Sequence, residues 1–183
     1  MTSKILQGTI ANKRNAFDVV ELQKHLNVTR EKDWRDSGYR TKSTFSPSVI
    51  GGFYGRCSRY WYYAFNGAFF EEKFKPQSAA AMNNGTSSHE RIQKTYEHSD
   101  VDAIIEKELK LDDPPIRGFA DVIVTIDGIT AVGDIKTINA SGYNYVENSM
   151  KPKPAHTLQV LIYMKILGLD HGFLHYENKD THE

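Results

Sequence analysis

Two aspartates and a lysine near the middle of the chain have the types and spacing to act on a negatively charged group. Asp121 lies in the β-rich run Ala120 to Ile126. Asp134 and Lys136 lie in the run Ile129 to Lys136. Between the runs stands Asp127-Gly128, the strongest short-range signal for a two-residue type I′ hairpin turn. The pairing that sets Ile126 against Ile129 also sets Asp121 directly opposite Asp134, with Cβ atoms about 5 Å apart. Like charges placed so are destabilising, and the pair asks for a cation. Either this is a solvated polar sheet face on which Lys136 neutralises one acid, or both aspartates hold a divalent metal. Hard cations such as Mg²⁺ are bound by one or two carboxylates together with substrate phosphate oxygens.

Strand parity gives the hairpin two faces. Ala120, Val122, Val124, Ile126, Ile129, Ala131, Gly133 and Ile135 form an apolar face expected to meet a core. Asp121, Ile123, Thr125, Thr130, Val132, Asp134 and Lys136 form the other. Outside the hairpin, Gly85 and His89 are four apart and share a helical face, where a small residue lets another backbone approach the imidazole. Gln159 and Tyr163 share a face in the same way, with His156 one turn earlier. Glu106 and Glu108 share strand parity upstream of the hairpin. In Phe53-Tyr54 and Arg56 to Phe65, followed by Phe69 and Phe70, aromatic rings alternate with Arg56 and Arg59. Most of these rings are expected to pack on a core, but a basic and aromatic edge also suits phosphates and bases of a single strand.

The elements that must position these residues follow in order. Residues 1–15 are polar and expected to be poorly ordered at the start. Asn15 to Leu26 has helical spacing, with Asn15 as a possible cap, and Thr29 to Thr44 reads as loop or short helix. Ser46-Pro47 opens a helix that carries the aromatic run. Ser78 to His98 reads as a helix and Val101 to Leu111 as a strand. The hairpin comes next, then a loop from Ile138 to Pro154 with a short helix at Asn144 to Glu147. A helix from Pro154 to Leu167 is closed by Gly168, and Gly172 to Lys179 is a last strand. This order predicts an α/β fold: a mixed central sheet flanked by helices, antiparallel in the hairpin, with a crossover helix leading to the final strand. Residues 1–45 read as an N-terminal helical extension and 46–183 as the main domain. A sheet ending on Asp180 to Glu183 is abrupt, so a longer natural product is expected.

The 183 residues suit one core-forming domain, and 39% hydrophobic and 25% charged residues are ordinary globular values. No apolar run approaches the roughly 18 residues of a membrane span, and the first residues lack a signal-peptide core. The lone Cys57 excludes an internal disulfide and fits a reducing, intracellular setting such as the cytoplasm. Net charge is zero, but residues 1–100 hold 15 Lys+Arg against 10 Asp+Glu and the remainder 8 against 13. That asymmetry fits an acidic part gathering metal beside a basic part holding phosphates. No G-x-x-x-x-G-K-[ST] loop is present, which argues against an NTP-driven activity.

Taken in order, Gly85-x-x-x-His89, Glu106 or Glu108, Gly118-x-x-Asp121, Asp134-Ile135-Lys136 and Gln159-x-x-x-Tyr163 form a pattern. It resembles that of the PD-(D/E)XK nuclease superfamily, in particular its RecB-like branch of phage exonucleases and CRISPR-associated nucleases, from about Ser46 onward. The resemblance implies a restriction-endonuclease-like core. In it Asp121 is the hairpin metal-binding aspartate, Asp134 the acid of the (D/E)-x-K triplet and Lys136 the catalytic lysine. The Ile135 carbonyl and His89 would be further metal ligands, Glu106 the favoured upstream acid, and Gln159 and Tyr163 the helix motif beside the site and the DNA backbone. Arg56 and Arg59 are candidate substrate contacts. Some RecB-like nucleases carry an iron–sulfur cluster on four cysteines; with Cys57 alone, no cluster is expected in this chain.

The activity so implied is metal-dependent hydrolysis of DNA phosphodiester bonds, with Mg²⁺ or Mn²⁺ as cofactor, in an exonuclease of recombination, repair or phage DNA metabolism. The histidine shifts preference toward Mn²⁺. Single- or double-stranded DNA is the expected partner, with a homo-oligomer or a repair protein as a further one and no membrane. The competing reading is a catalytically idle nuclease-fold module that binds DNA or a protein; the intact Asp121, Asp134 and Lys136 speak against it.

Overall fold

The computed structural model describes residues 18–36, 41–68 and 76–183. The chain divides into two compact units, Met1–Arg40 with Phe69–Thr86, and Thr41–Ala68 with Ser87–Glu183. The first holds helix α1 (Val19–Asp36) and the first half of helix α4 (Pro76–Glu97). Asp18 caps α1, its Oδ1 accepting from the N–H groups of Val20 at 2.9 Å and Glu21 at 3.0 Å. The helix thus runs on through Thr29 to Asp36, where a loop or short helix is expected from sequence. Asn15, Phe69, Phe70 and the polar residues 1–15 lie outside the described residues.

The second unit is built on a mixed four-stranded sheet in the order β1 (Asp102–Leu111), β2 (Ile116–Ile126), β3 (Ile129–Ile138), β4 (His171–Asn178). The first three strands are antiparallel, and β4 runs parallel to β3. Between β3 and β4 the chain crosses through helices α5 (Ala140–Ser149) and α6 (Pro154–Leu167). This is the expected α/β architecture. Asp127 and Gly128 both have positive φ, 52° and 78°, as a type I′ turn requires. The register sets Ile126 against Ile129 and continues to Val122 against Gly133.

There the β2–β3 ladder stops. Beyond it β2 pairs only with β1, while Phe45 bridges to Ile116 in parallel, and β3 continues beside β4 as far as Ile138 and Asn178. The two central strands therefore form a fork. Asp121 and Asp134 are the first residues past its closed end, not a ladder pair.

Both hairpin faces are covered. Ala120, Val122 and Val124 of one parity are buried, and so are Ile123 and Val132 of the other. The charged face is therefore no solvated sheet surface, and the apolar face is exposed at its tip, where Ile126 and Ile129 are open to solvent. Tyr163 joins Leu109, Ala120, Ile123 and Val132 in the core, with Met164, Ile166, Leu167 and Leu169 against them.

The aromatic stretch differs from expectation. In place of one helix there are α2 (Pro47–Gly51), a 3₁₀ turn (Tyr54–Arg56) and α3 (Ser58–Phe65). Glycine spacing breaks it, because the chain folds back on itself: a Cβ on Gly55 would lie 2.1 Å from the Val49 carbonyl oxygen. Ser46 occupies the cap position without making a side-chain cap bond. Trp61 is buried against Phe45 at 4.7 Å between ring centroids, yet Phe53, Tyr54, Tyr62 and Tyr63 are exposed. The region from Ile138 is also more ordered than a loop, since Asn139 caps α5 through the Gly142 N–H at 2.9 Å.

Candidate functional site

Leaving the ladder costs backbone hydrogen bonds, and the fork replaces one with a side chain. Asp121 Oδ2 accepts the Ile135 N–H at 2.7 Å. The same oxygen is 3.5 Å from His89 Nδ1, presented by the second half of α4. Asp134, across the fork, is fully buried. Its Oδ1 accepts from Gln159 Nε2 at 2.8 Å and lies 3.4 Å from the Tyr163 hydroxyl; Gln159 also donates to that hydroxyl. Its Oδ2 faces Lys136 Nζ at 2.7 Å and has no other partner among the described residues. Side-chain exposure falls from 28% at His89 and 21% at Lys136 to 13% at Asp121 and nothing at Asp134, so the cluster opens to solvent on one side.

The electrostatics are those of acids held out of water. Burial pushes the Asp121 carboxyl up, the Ile135 N–H opposes it, and the Asp134 charge adds to it. Burial likewise raises Asp134, against the pull of Lys136. Tyr163 is raised by burial first and by Asp134 next, so its hydroxyl stays protonated and available to hydrogen-bond.

Five expected residues, His89, Asp121, Asp134, Gln159 and Tyr163, thus meet with Lys136 on four elements: α4, β2, β3 and α6. Ile135 enters through its N–H. Glu106 reaches the cluster indirectly. Its backbone is in the left-handed region, φ 54°, at the point of β1 beside Asp121. Gln93 Nε2 ties it in, donating to Glu106 Oε1 at 2.8 Å and to the Asp121 carbonyl at 3.3 Å. Glu108 sits two residues further along, paired with Phe119. Arg56 and Arg59 are exposed on the 3₁₀ turn and α3, and among the described residues neither forms an ion pair. The Arg59 guanidinium lies 5.6 Å over the Tyr63 ring instead.

Two neighbours escape the sequence reading. Gln93 is buried on α4, one turn after His89. Tyr176 is the β4 partner of Lys136, and its hydroxyl is 2.8 Å from His156 Nδ1 and accepts the Lys153 N–H at 3.2 Å. Burial, with the positive charges of Lys136 and Lys153, depresses His156 to about 4, so it is neutral at pH 7. The Gln93 signal was available as helical spacing from His89; the Tyr176 contact depends on the β3–β4 register, which no local pattern fixes.

Among the described residues no group of three or more His, Cys, Asp or Glu is arranged as a metal cage. The donor set nevertheless fits a hard or borderline divalent cation: two carboxylates raised by burial, one imidazole nitrogen 3.5 Å away, and a buried carboxylate oxygen satisfied only by Lys136. No family model and no curated protein matches this chain. It is similar to the solved crystal structure of SSO0001, at 18% identity and a TM-score of 0.49, over 87% of this chain and 74% of that one.

Proposed function

We propose that this chain is a metal-dependent DNA nuclease with a restriction-endonuclease-like core, acting as an exonuclease in recombination, repair or phage DNA metabolism. The observation that carries the reading is the fork, where Asp121, Asp134, Lys136 and His89 converge at the one place the central strands part. Phosphodiester hydrolysis needs an attacking water, in-line geometry and compensation for charge growing on the phosphoryl oxygens. Asp121, Asp134 and His89 would hold Mg²⁺ or Mn²⁺, with the Ile135 carbonyl as the expected further ligand. Such an ion, when bound, would supply Lewis acidity and lower the pKa of a coordinated water. Lys136, partly exposed beside the buried Asp134, orients the water and offsets charge on the phosphoryl group. Gln159 and Tyr163 hold Asp134 Oδ1, fixing the direction in which the other oxygen points.

The reading is tested with end-labelled linear DNA and covalently closed DNA, each with Mn²⁺, Mg²⁺ or chelator, scored for cleavage and for gel retention. Metal-dependent degradation of the linear form alone is expected. Retention without cleavage under every condition would make the chain an idle binding module and overturn the proposal.

A further inference from the structure

We propose that the exposed aromatic and arginine surface of residues 53–63 is a platform for an unpaired nucleic-acid strand, feeding the fork. The proposal rests on the nuclease reading for its substrate class, but binding alone measures it. Phe53 is 90% exposed, Tyr54 62% and Tyr62 65%, on a unit that buries Trp61 nearby. Rings left in water forgo burial worth about 25 cal/mol per Å², so several of them within one short segment mark a contact surface. They already contact each other: Tyr54 stacks on Tyr60 at 5.6 Å between centroids, while Phe53 meets Tyr54 edge to face at 5.4 Å and Tyr62 meets Tyr63 edge to face at 5.6 Å. Such rings offer flat faces to bases, and Arg59 and Arg56 stand among them for phosphates.

Charge selects the occupant. Residues 41–68 contain Lys42, Arg56 and Arg59 and no aspartate or glutamate, which complements a polyanion. Place selects it again. A Cβ on Gly51, just before the patch, would lie 2.3 Å from the Ala155 carbonyl oxygen, so α2 is seated backbone to backbone on the first turn of α6, the helix that carries Gln159. A Cβ on Gly118, three residues before Asp121, would meet Pro47 at 3.0 Å. The platform is thus fastened to two of the elements that carry the site. Exposed bases stack on aromatic rings, whereas those of a duplex are already stacked, so the surface favours single strands.

The test is fluorescence anisotropy with a labelled single-stranded oligonucleotide and its duplex, in chelator so that nothing is cut. Wild-type protein is expected to bind the single strand more tightly. Phe53→Ala, Tyr54→Ala and Tyr62→Ala should each weaken that binding at least about fivefold, the lower bound for one lost base stack. Phe53→Trp should retain affinity and Phe53→Leu should not, which separates stacking from greasy contact with a protein. Arg59→Gln should reduce the salt slope on the single strand by about 0.7. Unchanged single-strand affinity in the alanine variants, equal rescue by leucine, or equal affinity for the duplex would overturn the platform and leave the surface to a protein partner. Loss of binding in these variants of a protein that cuts no DNA would uphold the platform while the nuclease reading falls. Cleavage by a protein whose alanine variants bind normally would do the reverse.

Discussion

Asp121 and Asp134 hold their charges where burial disfavours them, and the sign of the effect is definite. A carboxyl whose folded pKa is raised binds protons more readily folded than unfolded, so its contribution to stability is largest at low pH and is lost as pH rises through the folded value. At neutral pH the ionised pair therefore works against the fold. Asp121→Asn keeps an acceptor for the Ile135 N–H and removes one charge, so in chelator at pH 7.5 it should melt a few degrees above wild type. Its metal-dependent cleavage should be lost. Thermal denaturation reads the first outcome, and a lower melting temperature would contradict this view of the pair. Asp121, Asp134, Lys136, Gln159 and Tyr163 were legible because strand parity and helical spacing put each on a definite face. Gln93 was available too, one helical turn after His89, but Tyr176 was not, because it reaches the site through the pairing of strands distant in sequence.

The fork does for the elements what parity does for the residues. A hairpin paired along its whole length would place two like charges side by side; parting the strands leaves room for Lys136 and for the Ile135 N–H to answer them. The turn was legible in Asp127-Gly128, and so were α6 and its Gly168 end, φ 67°, because Pro154 and that glycine punctuate a clear apolar stripe. The fork itself was not, since sequence shows where pairing begins and not where neighbouring strands pull it apart. Nor was the breakup of the aromatic segment, where the run of rings reads as helix while Gly51, Gly52 and Gly55 allow a tight fold-back. Packing of β4 on β3 depends on another small residue: Gly133 faces Phe173, and a Cβ there would lie 2.3 Å from the ring. Gly133→Ala should cost about 1–3 kcal/mol by overpacking. A urea midpoint unchanged from wild type would show that β4 can shift freely past this position.

At the scale of the whole molecule, half-buried imidazoles set the response to acid. His156 is depressed to about 4, and His175 is lowered by burial beside Tyr96. A histidine lowered in the folded state is protonated first in the unfolded chain, so stability is full above about pH 6.5 and falls as pH drops toward 4. Glu177 adds to this: burial alone would raise it, but hydrogen bonds from Arg91 and His182 bring it below the usual range, and its contribution too is lost in acid. His156→Gln should remove about 2 kcal/mol of the acid-dependent loss between those limits. Urea titrations at pH 7 and pH 4.5 check this; equal losses in both proteins would place the acid sensitivity elsewhere. The central claim, that the fork is a metal-dependent phosphodiesterase, is met most directly by alanine at Asp121, Asp134 and Lys136, one at a time. Cleavage of end-labelled DNA in Mn²⁺ is compared with folding by circular dichroism on the same preparations. Each variant should fold and lose about a hundredfold to a thousandfold in rate, as when an electrostatic group acting on the transition state is removed. Wild-type cleavage by any folded variant would contradict the assignment.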